Sequence, residues 1–290
     1  PGDGYTTDDF SSNGDRIKVR QGFVSPELRW DGSSQEIHPI ATPCHEFGHA
    51  LGLPDLYDLT GDNDPPDYSS SIGLGYWCLM AGGGSDSKYP SHLSAWCKVK
   101  MGWVSPIIID QDGMLTVRQV ETSGRIYKLW EDGYQMSRYF LIENRQKVGF
   151  DLKLEGTGLL IYHIDESITT GNNDETHKLV DLEEADGRDD LDHVENWGDA
   201  GDPYPGSSNN KFFADYTYPN TKDYSGRSTG IEISEISDPG PSMTAYFVVR
   251  EPSGYTLAYD TSGTSGFGFG YAEPSDWWAG INFTAQDSGY

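Results

Sequence analysis

The sequence predicts an α+β fold in which a helix-and-loop N-terminal part precedes an antiparallel β-rich part. Three observations carry this. Helical apolar spacing occurs at only two places, residues 40–53 and 91–101. After Pro106, short runs rich in β-branched and aromatic residues recur between turn signals. The connections are long and polar, drawing on 35 Gly in 290 residues.

Taken in order, residues 1–35 are polar and Gly-rich, with one strand expected around Ile17–Val24. The first helix is expected over 40–53. Pro39 and Pro43 restrict its start, because proline is tolerated only in a first turn, and Gly52 is placed to end it. Residues 54–90 read as loop. The second helix, Ser91–Met101, puts Leu93, Trp96, Cys97 and Met101 on one stripe, with Gly102 closing it. The strand candidates that follow are RIYKLW at 125–130, YFLIEN at 139–144, GLLIYHI at 158–164, GIEISEI at 230–236 and MTAYFVV at 243–249. EPSG at 251–254 reads as a linker into the opening strands of a further β-module. No internal repeat is visible. The expected organisation is a catalytic region over 1–105, a β-rich domain over 106–250 packed on it, and an incomplete module over 251–290.

Composition narrows the partners. With 46 Asp and Glu against 20 Lys and Arg, the formal charge is −26. Such a surface repels phosphate backbones and anionic headgroups, which argues against nucleic-acid and membrane-surface binding. No apolar run has the length needed to span a bilayer, so membrane insertion is not expected. Eighteen Tyr and eight Trp with few Lys fit an extracellular protein. No signal peptide opens the chain, so residue 1 is not expected to be the start of the gene. Cys44, Cys78 and Cys97 each sit among apolar residues and read as small buried hydrophobes, with a Cys78–Cys97 bridge left open.

The chemistry is concentrated in HEFGHALGLPDLYD, residues 45–58. Residues four apart on a helix share a face, so His45 and His49 point at one spot and offer two imidazoles to a zinc ion. Glu46 faces the same cleft and is expected to act as base, taking a proton from zinc-bound water and passing it to the leaving amine. After Glu46 the next glutamate is Glu121, too remote to serve as a third ligand from a following helix. Gly52 instead lets the chain turn and brings Asp55 to the metal. The spacing HExxHxxGxxD is the long metzincin motif with Asp in the third place. Met80, in GYWCLMAGGG, is expected to form the turn beneath the metal, followed by glycines able to make it. The first region thus reads as a zincin/metzincin-type catalytic remainder.

These segments, with HLSAWCKVKMGW, YFLIENRQKVGFD, GTGLLIYHID and the loops LEEADG and GDAGDPYPG, resemble the immune inhibitor A family of secreted bacterial zinc metallopeptidases. The resemblance covers roughly residues 17–250. It implies zinc on His45, His49 and Asp55, Glu46 as base and Met80 as the Met-turn residue. It also implies export, internal cleavage of protein or peptide substrates, and structural Ca2+. The family's peptidase domain has a longer N-terminal half, so the substrate groove is expected to be incomplete here. The alternative reading is a non-catalytic, calcium-dependent surface or glycan-binding module on a peptidase scaffold. The intact Glu46 speaks against it. A third is a peptidase that matures or inactivates itself by proteolysis.

Lesser candidates complete the reading. Tyr76, Tyr89 or Tyr134 could stabilise an oxyanion. Asp58, Asp62, Asp64 and Asp67 form one acidic set, and Asp186, Asp189, Asp199 and Asp202 another. Either could bind calcium, with a solvated loop as the ordinary alternative. His38, His92 and His163 read as structural, and Asn282 opens an Asn-Phe-Thr sequon.

Overall fold

The computed structural model describes residues 5–19, 25–30, 32–60, 71–84, 88–131 and 136–249. The expected linker, the module over 251–290, the sequon, Tyr134, Asp62, Asp64 and Asp67 lie outside the described residues. Two hairpins open the chain: β1 (Tyr5–Phe10) with β2 (Arg16–Val19), and β3 (Leu28–Trp30) with β4 (Gln35–Ile37), both antiparallel. Then come α1 (Ala41–Ala50) and, after a long loop with two short 3-10 turns, α2 (Ala95–Lys100). The remainder is strand: β5 (Ile107–Ile108), β6 (Gly113–Arg118), β7 (Tyr127–Trp130), β8 (Arg138–Arg145), β9 (Gly158–Asp165), β10 (Val180–Leu182), β11 (Phe213–Ala214), β12 (Glu232–Ser234) and β13 (Ser242–Val248). A one-turn helix, α3 (Val120–Ser123), ends at Gly124 in the left-handed conformation. The α+β class is as expected.

The strands form two larger sheets. One has the order β10-β9-β8-β7-β5, antiparallel except for the parallel β5–β7 edge. The other, wholly antiparallel, has the order β11-β12-β13-β6. β8 and β9 are apolar on both faces because both faces are covered. Phe140, Ile142, Leu159 and Ile161 pack with Val117, Ile233, Met243 and Phe247 of the second sheet. The alternate residues Tyr139, Leu141, Leu160, Tyr162 and Ile164 pack instead with Leu56, Leu74, Trp77, Met80 and Trp96. The period-2 alternation of these two strands therefore joins the β-sandwich to the loop region that carries the HExxH helix.

The second helix is shorter than the 91–101 expected. Ser94 is its N-cap, in extended conformation, its hydroxyl accepting from the Cys97 amide at 3.4 Å. Upstream, the amides of Ser91, His92 and Ser94 are taken by Gly83 O, Asp151 Oδ1 and Cys78 Sγ. Those tertiary bonds compete with the helical ladder and hold the segment extended. Of the first strand candidate, β2 spans Arg16–Val19, and residues 20–24 lie outside the described residues. Cys78 and Cys97 are fully buried, as expected, but Cys44 is only half-buried, since α1 leaves that face partly open. None of the helices among the described residues is long and apolar enough to cross a membrane.

Candidate metal centre

α1 places His45 and His49 one turn apart, their rings edge to face with centroids 4.8 Å apart. Gly52, at φ +97°, reverses the chain just after the helix, a conformation that costs glycine nothing. The loop that follows is pinned. Leu53 N donates back to Gly48 O at 3.1 Å, and Leu56 N donates to Met80 O at 2.8 Å. Asp55, held between those two bonds, comes to the histidines: its Oδ1 is 3.0 Å from His45 Nε2 and 3.3 Å from His49 Nε2. The structure thus brings His45, His49 and Asp55 together as a group able to hold a metal ion.

The protonation pattern tests the fit. His45 Nδ1 lies 2.7 Å from Leu79 O, and His49 Nδ1 lies 2.9 Å from Leu53 O. A carbonyl can only accept, so each Nδ1 carries a proton and each neutral ring turns a lone pair outward at Nε2. The two Nε2 atoms are 3.2 Å apart, with a carboxylate oxygen beside them. Three acceptors facing one point need a cation there. A carbonyl on the far nitrogen is also the usual support of a metal-bound histidine. Without a metal, a proton serves in part. Burial pulls the His45 pKa down, but the Asp55 hydrogen bond and the Leu79 carbonyl outweigh it and raise it. Asp55 is lowered, burial being overcome by His45 and His49.

Met80 is fully buried beneath α1. A Cβ on Gly48 would collide with its Sδ, so the glycine lets the helix rest directly on the methionine. The charge of half-buried Glu46 reaches both His45 and Tyr57. Tyr57 hydrogen-bonds Asp55. Sequence reasoning overlooked Tyr57, although it stands two residues after the proposed ligand. Of the named tyrosines, Tyr76 stacks on Trp197 and Tyr89 lies exposed near Lys153. A cavity of about 510 Å³ opens beside His45, lined also by Tyr57, Ile72, Ala81 and Trp197.

Behind the site lies a buried ionic network that no motif announced. Arg145 donates to Asp151 at 2.7 and 2.8 Å, to Glu143 at 3.1 Å and to Trp77 O at 3.1 Å. Lys98 meets Glu143 at 2.5 Å. Asp151 accepts the His92 amide, and His92 O accepts the Leu79 amide at 3.2 Å. Leu79 O in turn holds His45. His38 lies against Pro39 O, while His163 is buried between Glu131 and Glu183, as a structural histidine.

The second acidic set partly converges. Glu184, Asp186 and Asp202 form one group of carboxylates within 4.8 Å, and Asp186, Asp190 and Asp199 another. Asp189 turns away to Tyr218 instead. Asp202 Oδ1 is buried with no hydrogen-bond partner among the described residues. Burial, with the Asp202 charge adding, pushes Glu184 up to about 9, and burial pushes Asp202 up to about 7. Asp58 is satisfied locally by Thr60.

Residues 32–104 match the family described as immune inhibitor A peptidase M6, catalytic domain. The chain is also 30% identical over 123 residues to the pre-pro-metalloprotease PrtV of Vibrio cholerae serotype O1, in strain M66-2 and in strain ATCC 39315 / El Tor Inaba N16961. That stretch is 41% of this chain and 13% of each relative, so the chain spans a small part of the curated relatives it matches.

Proposed function

We propose that this chain, which carries an immune inhibitor A-type peptidase catalytic segment at residues 32–104, is the core of a secreted zinc endopeptidase that hydrolyses internal bonds of protein substrates. The observation that supports this most is the convergence of His45 Nε2, His49 Nε2 and Asp55 Oδ1 with both Nδ1 atoms tied to carbonyls. Zinc, when bound there, supplies a Lewis acid that polarises a carbonyl and lowers the pKa of water. His45, His49 and Asp55 hold it. Glu46 takes the proton of the attacking water at its carboxylate and returns it to the departing amine. Tyr57 and the Leu79 and Leu53 carbonyls orient the ligands. Met80 and Gly48 provide the apolar floor of a metzincin-type site.

We propose likewise a division into three regions at 105 and 250, and export, which the pre-pro form named for the Vibrio relatives supports. A structural calcium ion fits the Glu184, Asp186 and Asp202 carboxylates, hard oxygen donors of which Asp186 meets the exposed Arg188 at 3.6 Å.

The test is metal content by mass spectrometry with casein cleavage before and after chelation. His49→Ala is expected to abolish stoichiometric zinc. Full retention of zinc in that variant, or cleavage indifferent to chelation, would remove the assignment.

A further inference from the structure

Beneath the metal group, two sulfurs meet that neither the motif nor the catalytic reading uses. Cys78 sits in the loop two residues before Met80, and Cys97 lies in the first turn of α2. Both are fully buried, and their Sγ atoms are 3.9 Å apart. Cys44 is half-buried on α1 and belongs to neither element.

We propose that Cys78 and Cys97 are a disulfide site, whose closure staples the loop under the metal group to α2. A disulfide needs its sulfurs at about 2.05 Å. The two buried sulfurs are already in contact at 3.9 Å, so the bond requires them to close by about 2 Å.

The surroundings favour the chemistry. Cys78 Sγ accepts from the Met80 amide at 3.4 Å and the Ser94 amide at 3.3 Å, besides facing the Cys97 thiol. Burial pushes the Cys78 thiol up, yet the Cys97 hydrogen bond and the Ser94 bonds outweigh it and bring it below its usual value. Burial also pushes the Cys97 thiol up, and there the Cys78 hydrogen bond adds to the rise. In the folding chain either thiol can attack first, and the exchange balances in the same way from Cys78. Its thiolate attacks a small disulfide such as oxidised glutathione, forming a mixed disulfide and expelling one glutathione thiolate. Cys97 then gives up its proton, attacks Cys78 Sγ and expels the second. Two protein thiols are oxidised and one glutathione disulfide is reduced to two thiols. Both sulfurs are sealed in the folded chain, so the exchange takes place while the chain folds.

The staple has a structural consequence at the site. Between Cys78 and Met80 lies Leu79, whose carbonyl holds His45 Nδ1 and whose amide is bonded to His92 O. Fixing Cys78 to α2 fixes that peptide. The inference stands independently of the peptidase reading, because it concerns the loop and not the metal.

The experiment unfolds the full chain and refolds it in glutathione buffers from reducing to oxidising. The products are denatured in N-ethylmaleimide and digested without reduction. In the oxidising buffer we expect alkylation of Cys44 alone and a linked peptide pair joining Cys78 to Cys97, with all three cysteines alkylated in the reducing buffer. The linked form is expected to melt roughly 5–10 °C above the reduced one, and C78A/C97A to show no redox-dependent difference. Three alkylated cysteines in every buffer, a link through Cys44, or equal melting of the two wild-type forms overturns the proposal. Should C78A/C97A fail to fold, the thiol map and the two wild-type melting curves decide alone.

Discussion

Arg145→Ala tests whether the buried network supports the metal group. The side chain is wholly buried, hydrogen-bonds three partners and lies 3.8 Å from the Glu121 carboxylate. Removing it does not strand Glu143, which keeps Lys98 at 2.5 Å and Tyr162 Oη at 3.0 Å. Asp151 fares worse. It keeps only the His92 amide at 2.9 Å and the His92 ring at 4.0 Å. One uncompensated buried carboxylate costs about 3–5 kcal/mol, and the orphaned Trp77 carbonyl adds ~1 kcal/mol. At about 2–4 °C per kcal/mol for a domain of this size, the melting temperature should fall by roughly 10–20 °C. Metal affinity should fall on the order of 10–100-fold, because Asp151 and His92 hold the Leu79 peptide that orients His45. Urea unfolding and a cobalt titration measure the two effects. The deficit should also depend on pH. Burial chiefly holds the His92 pKa down, the Asp151 charge opposes this, and the Arg145 charge assists it. Without Arg145, His92 takes a proton more readily and its cation partly replaces the guanidinium. The stability gap to wild type should therefore narrow from about pH 8 to about pH 5.5. R145M/D151L, which removes the stranded Asp151 charge, should recover most of the loss. A stability of Arg145→Ala within ~1 kcal/mol of wild type, with unchanged cobalt affinity, would refute the coupling.

Glu46→Gln should keep the metal and the fold while proteolysis falls on the order of 10²–10⁴-fold, and activity that survives would leave the base elsewhere. His163 is expected to be a buried cation: burial lowers its pKa, but its hydrogen bonds to Glu131 and Glu183 outweigh this and raise it to about 9. Its folded pKa exceeds an unfolded value of about 6.5, so its stabilisation is complete below pH ~6.5 and is lost as pH rises through ~9. The stability lost in urea unfolding between pH 6 and pH 9.5 should be about 3 kcal/mol smaller in His163→Gln than in wild type. Calcium should raise the melting temperature of the metal-stripped protein, and Asp202→Asn should abolish the rise; a rise that persists in the variant would place the ion elsewhere.

What could be read in advance depended on whether the relevant neighbours lie close in sequence. His45, Glu46, His49 and Asp55 lie within eleven residues, and their meeting depends on helical pitch and one glycine turn, both visible in the letters. β8 and β9 were also legible, because a strand buried on both faces writes itself as a continuous apolar run. β6, GMLTVR, was not, since only one face is covered and its partner β13 begins more than a hundred residues later. The end of the second helix nearest Ser91 was misjudged for a related reason. Gly83, Asp151 and Cys78, which claim its amides, lie outside any local window. The Arg145 network is the extreme case. No local pattern marks Arg145 as buried, and only the sheet's position under the Met80 loop makes it a buried support. The identity of the proposed ligands follows local spacing, while their orientation depends on contacts spanning the domain. A variant that leaves HExxHxxGxxD untouched can therefore still disable the site.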